Sequence, residues 1–282
     1  MKKLFTVCLF LTMITSAGQQ AFAGFPVGKY RNIVVPSFNY YTAKDVYNSS
    51  GKKVKPANNS SFSSYAFGLY FGYGITRRLD LIVNVLAPNQ QSQFTTSAGT
   101  TYQQSFGFGD LQAGLSYALV NFGYKSYLSV QVSGIAPLYK HDDQQLDFGY
   151  GAFGSEVKLM YTGSINGNHL RGCYYNLEAG FRRYFAKPGP SVIVYSALFG
   201  VPLDKRNQVS FEVGGQNSSS YNKSFVSTNL SINRDFAFTK GAVNYGHTFN
   251  RRFSLFGGGF YTFMGRNAGV GYGGSLQAIL KI

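Results

Sequence analysis

Tyr65-Ala66-Phe67-Gly68-Leu69-Tyr70-Phe71-Gly72-Tyr73-Gly74 is the stretch whose reading decides the fold. Every odd position is large and apolar, and the even positions are small except Tyr70, so one face is apolar from end to end at a period of two. This is a strand. Its apolar face begins and ends on tyrosine, and at ~3.4 Å per residue and a tilt of about 40° it spans roughly 20 Å of depth. A strand of a soluble sandwich would also alternate, but would hide its large face in a core. An aromatic-bounded face backed by glycines suits lipid outside and a lumen inside.

The pattern repeats outward from this stretch. Residues 31–43 form an earlier β-rich run, with Pro36 expected at an edge or bulge because it cannot donate to a ladder. Residues 44–62, with Lys44, Lys52, Lys53 and Lys55 among Asn and Ser, read as a polar loop. After the short turn Thr76-Arg77-Arg78, residues 79–88 run back with Leu79, Leu81, Val83, Val85 and Ala87 on one face and Asp80 and Asn84 on the other. Residues 89–104 carry no charge and read as a loop. Further strands follow at 109–119, at 126–138 and on either side of Asn166-Gly167-Asn168. The chain then gives 191–201, 208–214, 235–248, 252–263 and 271–282. A long loop, a strand, a short turn and a strand is the rhythm of an outer-membrane barrel. The expected fold is therefore all-β, a transmembrane antiparallel up-and-down barrel of about twelve strands, or fourteen if residues 224–234 pair.

Composition agrees. With Tyr 22, Phe 26, Gly 34, no Trp and 13% charged residues, the chain is poor in helix formers and rich in strand and turn formers. Lys2 and Lys3, the apolar run from Leu4 to Ile14, and Ala21-Phe22-Ala23 read as a secretory signal peptide over residues 1–23, so the mature barrel is expected over 24–282. Cys8 lies inside the apolar run rather than at the cleavage point, which argues against a lipoprotein. Without Lys2 and Lys3 the formal charge of +15 becomes +13. A signal peptide directs that charge away from nucleic acid. The expected partners are outer-membrane lipid and lipopolysaccharide phosphates, with a small-molecule solute for the lumen. Cys173 is left without an intrachain disulfide partner and reads as a small lipid-facing or packing residue.

Two stretches share a pattern of strand end, basic turn and strand start: Tyr73-Gly74-Ile75-Thr76-Arg77-Arg78-Leu79-Asp80-Leu81, and Tyr245-Gly246-His247-Thr248-Phe249-Asn250-Arg251-Arg252-Phe253-Ser254-Leu255. With Gly107-Phe108-Gly109-Asp110-Leu111, followed by Gly114, Leu115, Tyr117 and Leu119, they resemble the outer-membrane barrel family named for the MetA pathway of phenol degradation. The resemblance implies transport of aromatic or other hydrophobic compounds across the bacterial outer membrane. Many such barrels end on an aromatic residue, whereas this chain ends on Ile282.

Chemistry is mostly absent. Outer-membrane barrel hydrolases pair a His with a Ser on neighbouring strand positions. His141, His169 and His247 lack a Ser at the same-face i+2 position, so no catalytic residue, cofactor or metal is expected. His141 with Asp142, Asp143 and Asp147 has oxygen ligands suited to a divalent cation, but a solvated loop explains them more simply. Gly107, Gly109 and Gly114 are followed by no helix pattern and make no phosphate loop. The functional candidates are the polar residues on the face opposite the apolar one: Asp80, Asp110, Glu156, Lys158, Glu178, Arg182 and Glu212. An unpaired charge is not left in a dry interior, so these either pair into a plug or line water. The basic pairs Arg77/Arg78, Lys205/Arg206 and Arg251/Arg252 read as interfacial anchors. Two functions fit: a channel for small hydrophobic molecules, or a closed barrel whose loops 44–62 and 216–234 bind a surface partner.

Overall fold

The computed structural model describes residues 25–97, 99–140, 146–165, 172–186, 189–227 and 229–282. The expected signal segment 1–23, His141, Asp142 and Asp143, and the turn 166–168 with His169 lie outside the described residues. The chain forms β1 (Asn32–Tyr47), β2 (Lys53–Val54), β3 (Ser61–Gly74), β4 (Leu79–Thr96), β5 (Gly99–Phe106), β6 (Asp110–Phe122) and β7 (Ser126–Pro137). It continues through β8 (Gly154–Ile165), β9 (Cys173–Tyr184), β10 (Ser191–Pro202), β11 (Asn207–Ser219), β12 (Phe236–Thr248), β13 (Phe253–Arg266) and β14 (Ala268–Lys281). Each wall strand pairs antiparallel with the next, and β14 returns to β1, from Ile33 opposite Lys281 to Tyr47 opposite Ala268. Because β2 and β5 belong to hairpins off this path, the closed wall has twelve strands.

The wall is apolar outside and mixed inside. Tyr65, Phe67 and Leu69 of β3 are exposed outward, with Phe67 62% accessible, and so are Leu115, Val157, Leu159, Leu177, Phe181 and Phe211 on other strands. In a protein dissolved in water such a belt would be a large hydrophobic surface; around a closed barrel it is the lipid-facing band. Closure also pairs every wall strand on both sides, so no bare edge meets hydrocarbon.

The short turns repeat one device. Thr76 Oγ1 accepts the amides of Arg78 and Leu79 at 3.1 and 2.9 Å. Asp204 Oδ1 accepts those of Arg206 and Asn207 at 2.7 and 2.9 Å, and Asn250 Oδ1 those of Arg252 and Phe253 at 2.8 and 3.0 Å. A short acceptor side chain thus caps its own turn while two basic residues project from the tip. All three basic pairs lie at the end that carries the short turns and the first and last strand ends, which is the periplasmic end of such barrels.

Three expectations are corrected. Residues 89–104 are a hairpin rather than a loop, with Asn89 to Thr96 laddered against Phe106 to Gly99. Above the lipid band a strand can be polar on both faces, so its Gln and Thr side chains give no alternation to read. Pro36 sits at neither an edge nor a bulge: it lies opposite Leu69 within the wall, and the ladder to β14 omits Val35 and Pro36 without changing register. Residues 224–234 do not pair as strands among the described residues. Asn233 Oδ1 accepts the Val226 amide at 2.7 Å and its Nδ2 donates to the Val226 carbonyl at 3.3 Å, so a side chain takes the backbone groups a ladder would use. Cys173 is buried and free.

Candidate lumen site

Alternation on the wall strands puts one set of side chains inside, and these fall into three levels. At the periplasmic end the lumen is apolar. Ile33, Val35 and Ile279 form a buried cluster with Tyr70 and Phe256, and Val27 from the segment before β1 packs into it. That segment enters the mouth: Phe25 meets the Tyr127 ring edge-on at 6.0 Å, and the Tyr30 amide donates to the Gly74 carbonyl at 2.6 Å. Gly74 must lack a side chain because a Cβ would collide with the Gly28 carbonyl. Asp80 fastens the segment from the wall, its Oδ2 accepting the Val27 amide at 3.0 Å.

At mid-lumen Glu156 and Lys158 of β8 meet Glu178 and Arg182 of β9. Arg182 Nη2 and Nε lie 2.7 and 2.8 Å from Glu156 Oε2, and Lys158 Nζ lies 3.0 Å from Glu178 Oε2 and 3.8 Å from Glu156 Oε1. Gln112 donates to Glu156 Oε1 at 3.0 Å and to Ser133 Oγ at 2.7 Å, and Asn176 donates to Glu178 Oε1 at 2.7 Å. With Glu156 only 1% accessible, its charge is met by Arg182, Lys158 and Gln112 rather than left isolated. The pairs run between neighbouring strands, so they armour one side of the lumen instead of crossing it. A cavity of about 430 Å³ lies against them and reaches Glu212 on β11 and Lys240 on β12.

Above it, a second cavity of about 430 Å³ shares Tyr41, Arg182, Phe238 and Lys240 with the first and adds Phe62, Phe148, Tyr150, Tyr184, Phe236 and Phe260. This chamber is aromatic. Lys240 Nζ stands 5.6 Å from the centre of the Phe260 ring, a cation–π distance. Residues of two connections fold in as its roof: the Leu146 amide donates to Ser105 Oγ at 2.7 Å, and the Tyr150 hydroxyl to the Asn233 carbonyl at 2.7 Å. Asp110 sits under this roof, beside Gly149 and the Tyr139 and Tyr184 hydroxyls.

Of the seven sequence candidates, Glu156, Lys158, Glu178 and Arg182 come together, and Glu212 faces the same cavity. Asp80 lies apart at the periplasmic mouth and Asp110 apart under the roof. Lys240 and the aromatic chamber have no counterpart in the sequence reading. The available signal was the alternation of Phe238, Lys240, Ala242 and Asn244 with Gly241, Val243 and Tyr245, which puts Lys240 inside. His247 Nδ1 is 2.7 Å from Asn207 Oδ1, and among the described residues no three His, Cys, Asp or Glu side chains cluster as metal ligands.

A closed twelve-stranded antiparallel barrel with a lipid-facing apolar belt and a structured lumen is an outer-membrane β-barrel. No protein-family model and no curated protein matches the sequence. Among solved structures the fold is similar to the COG4313 outer membrane channel from Pseudomonas putida F1, with a TM-score of 0.70 at 15% identity over 95% of this chain and 100% of that one. More distant similarities are to the translocator domain of the autotransporter NalP from Neisseria meningitidis (TM-score 0.49, 10% identity, 90% of this chain and 88% of that one) and to the TodX monoaromatic hydrocarbon channel ΔS2 mutant (TM-score 0.41, 10% identity, 90% of each).

Proposed function

We propose that this barrel is a channel for small hydrophobic or aromatic molecules, with no cofactor and no covalent step. The observation that carries this reading is the aromatic chamber of about 430 Å³ inside the wall, within the ~300–1,000 Å³ of ordinary small-molecule sites. Its rings supply apolar area and stacking faces to a neutral solute. Arg182 and Lys240, which border both cavities, offer donors to a hydroxyl or carbonyl. The mid-lumen charges are already paired, which favours neutral solutes over bare ions. The family resemblance noted above, with its link to phenol degradation, and the likeness of fold to a protein described as a channel point the same way.

The test is uptake of phenol and of glucose by intact cells lacking the chain, expressing it, or expressing Phe238→Asp. The unmutated chain is expected to raise phenol uptake and leave glucose uptake unchanged. Phe238→Asp should remove the gain by placing a charge in the chamber. Equal gains for both solutes would identify an open diffusion pore. No gain in any strain would favour a closed barrel whose surface loops bind a partner.

A further inference from the structure

At the extracellular rim, the connection between β1 and β3, the connection between β11 and β12, and the turn from β13 to β14 enclose a third cavity of about 660 Å³, which has Asn267 in common with the aromatic chamber below. At its base is Asp235, whose side chain is 4% accessible and which accepts Lys223 Nζ at 3.1 Å and Arg266 Nη1 at 2.7 Å. Burial pushes the Asp235 carboxyl up, but Arg266 and Lys223 outweigh it and hold the carboxyl below its usual range, so it stays ionised. Asn267 ties the base together by donating to the Asp235 carbonyl at 3.1 Å. A second carboxylate, Asp45, holds Lys53 and Lys55 at 3.0 and 2.7 Å.

The stoichiometry matters. Each carboxylate organises two cations, so the rim keeps two positive charges more than it has negative ones. Its cationic side chains stand open while the carboxylate beneath is closed: Lys55, Lys223 and Arg266 are 77%, 66% and 35% accessible, against 4% for Asp235. A buried carboxylate under two exposed cations acts as a post that positions them, and a guanidinium or ammonium keeps further donors after one ion pair. The height of the cavity names the occupant. Arg266 follows Phe263 and Met264, which face outward and are exposed at the top of the lipid band. Cations there sit at the level of outer-leaflet headgroups.

We propose that this cavity is a binding site for the phosphate of an outer-leaflet lipid headgroup, with Lys55, Lys223 and Arg266 as its donors. It would tie two long connections of the barrel to the surrounding lipid.

The experiment uses the purified full-length mature barrel in detergent micelles and measures binding of bis-phosphorylated lipid A, its dephosphorylated form, and inorganic phosphate. The unmutated barrel should prefer the phosphorylated lipid by about tenfold or more, and Lys55→Gln/Lys223→Gln should remove most of that preference. Both lysines are exposed, and the gel shift of unheated against boiled protein reports whether the variant is folded. Equal binding of the two lipids, or an unchanged preference in the double variant, would overturn the proposal. Inorganic phosphate binding at the same site, with no preference for the phosphorylated lipid, would overturn it too and assign the cavity to a soluble phosphate.

Discussion

At the scale of single residues the consequential group is Glu156. It is the most enclosed carboxylate of the lumen network and receives Arg182, Lys158 and Gln112. Removing its charge while keeping its shape strands the Arg182 guanidinium in a confined space. Glu156→Gln is therefore expected to destabilise the folded barrel by about 3 kcal/mol, at the low end for breaking a buried pair. The measurement is the urea midpoint of the unheated gel form, and a midpoint unchanged from the parent would mean that water already screens the pair. Glu178→Ala is expected to cost less, because Lys158 remains within 3.8 Å of Glu156.

At the scale of the strand the two faces have different solvents. Leu69 of β3 points to lipid and Ser64 of the same strand borders both lumen cavities. Arginine facing the bilayer midplane costs roughly 2–4 kcal/mol, whereas in the lumen its head finds water and carboxylates. Leu69→Arg should sharply reduce the assembled, heat-modifiable form and Ser64→Arg should not; equal loss at both would reverse the facing. A side chain added at Gly68, next to Leu69, would not test the facing, because its Cβ would meet the Ser37 hydroxyl and the Leu86 side chain. Strands of this kind were legible wherever lipid enforces alternation. Tyr65 to Tyr73, Leu79 to Ala87 and Val157 to Tyr161 could be assigned to faces from the residues alone. The polar hairpin 89–106 was not legible, since nothing greasy is demanded of it. The aromatic chamber was hidden for a related reason: Phe236, Phe238 and Phe260 are apolar side chains on the inner face, where periodicity leads one to expect polar ones. The four charges of β8 and β9 announced themselves as inward, but that they pair along the wall and not across the lumen depends on strand adjacency, which no local pattern contains.

At the scale of the whole molecule the chain's own residues 25–31 pack into the lower mouth of the lumen and residues from two connections fold over its upper end. The unmutated barrel is accordingly expected to show little ion conductance in planar bilayers. Val27→Pro removes the one amide that Asp80 accepts, leaving a buried carboxylate without that donor and the segment without that fastening. It should raise conductance severalfold while leaving the wall intact, and a large conductance before mutation would show that the segment does not seal the mouth.

The seam between β1 and β14 joins strands from opposite ends of the sequence, clasped where the Asn32 and Ile282 amides each donate to the other's carbonyl at 2.9 Å. Every other wall contact joins near neighbours in sequence and can form as the chain zips up, but this one must wait until the largest loop in the molecule has closed. The seam is therefore expected to be the last wall pairing to form. Gly269 and Gly271 leave the space into which the Tyr41 ring settles, so the same step that removes the two bare edges also turns a latch.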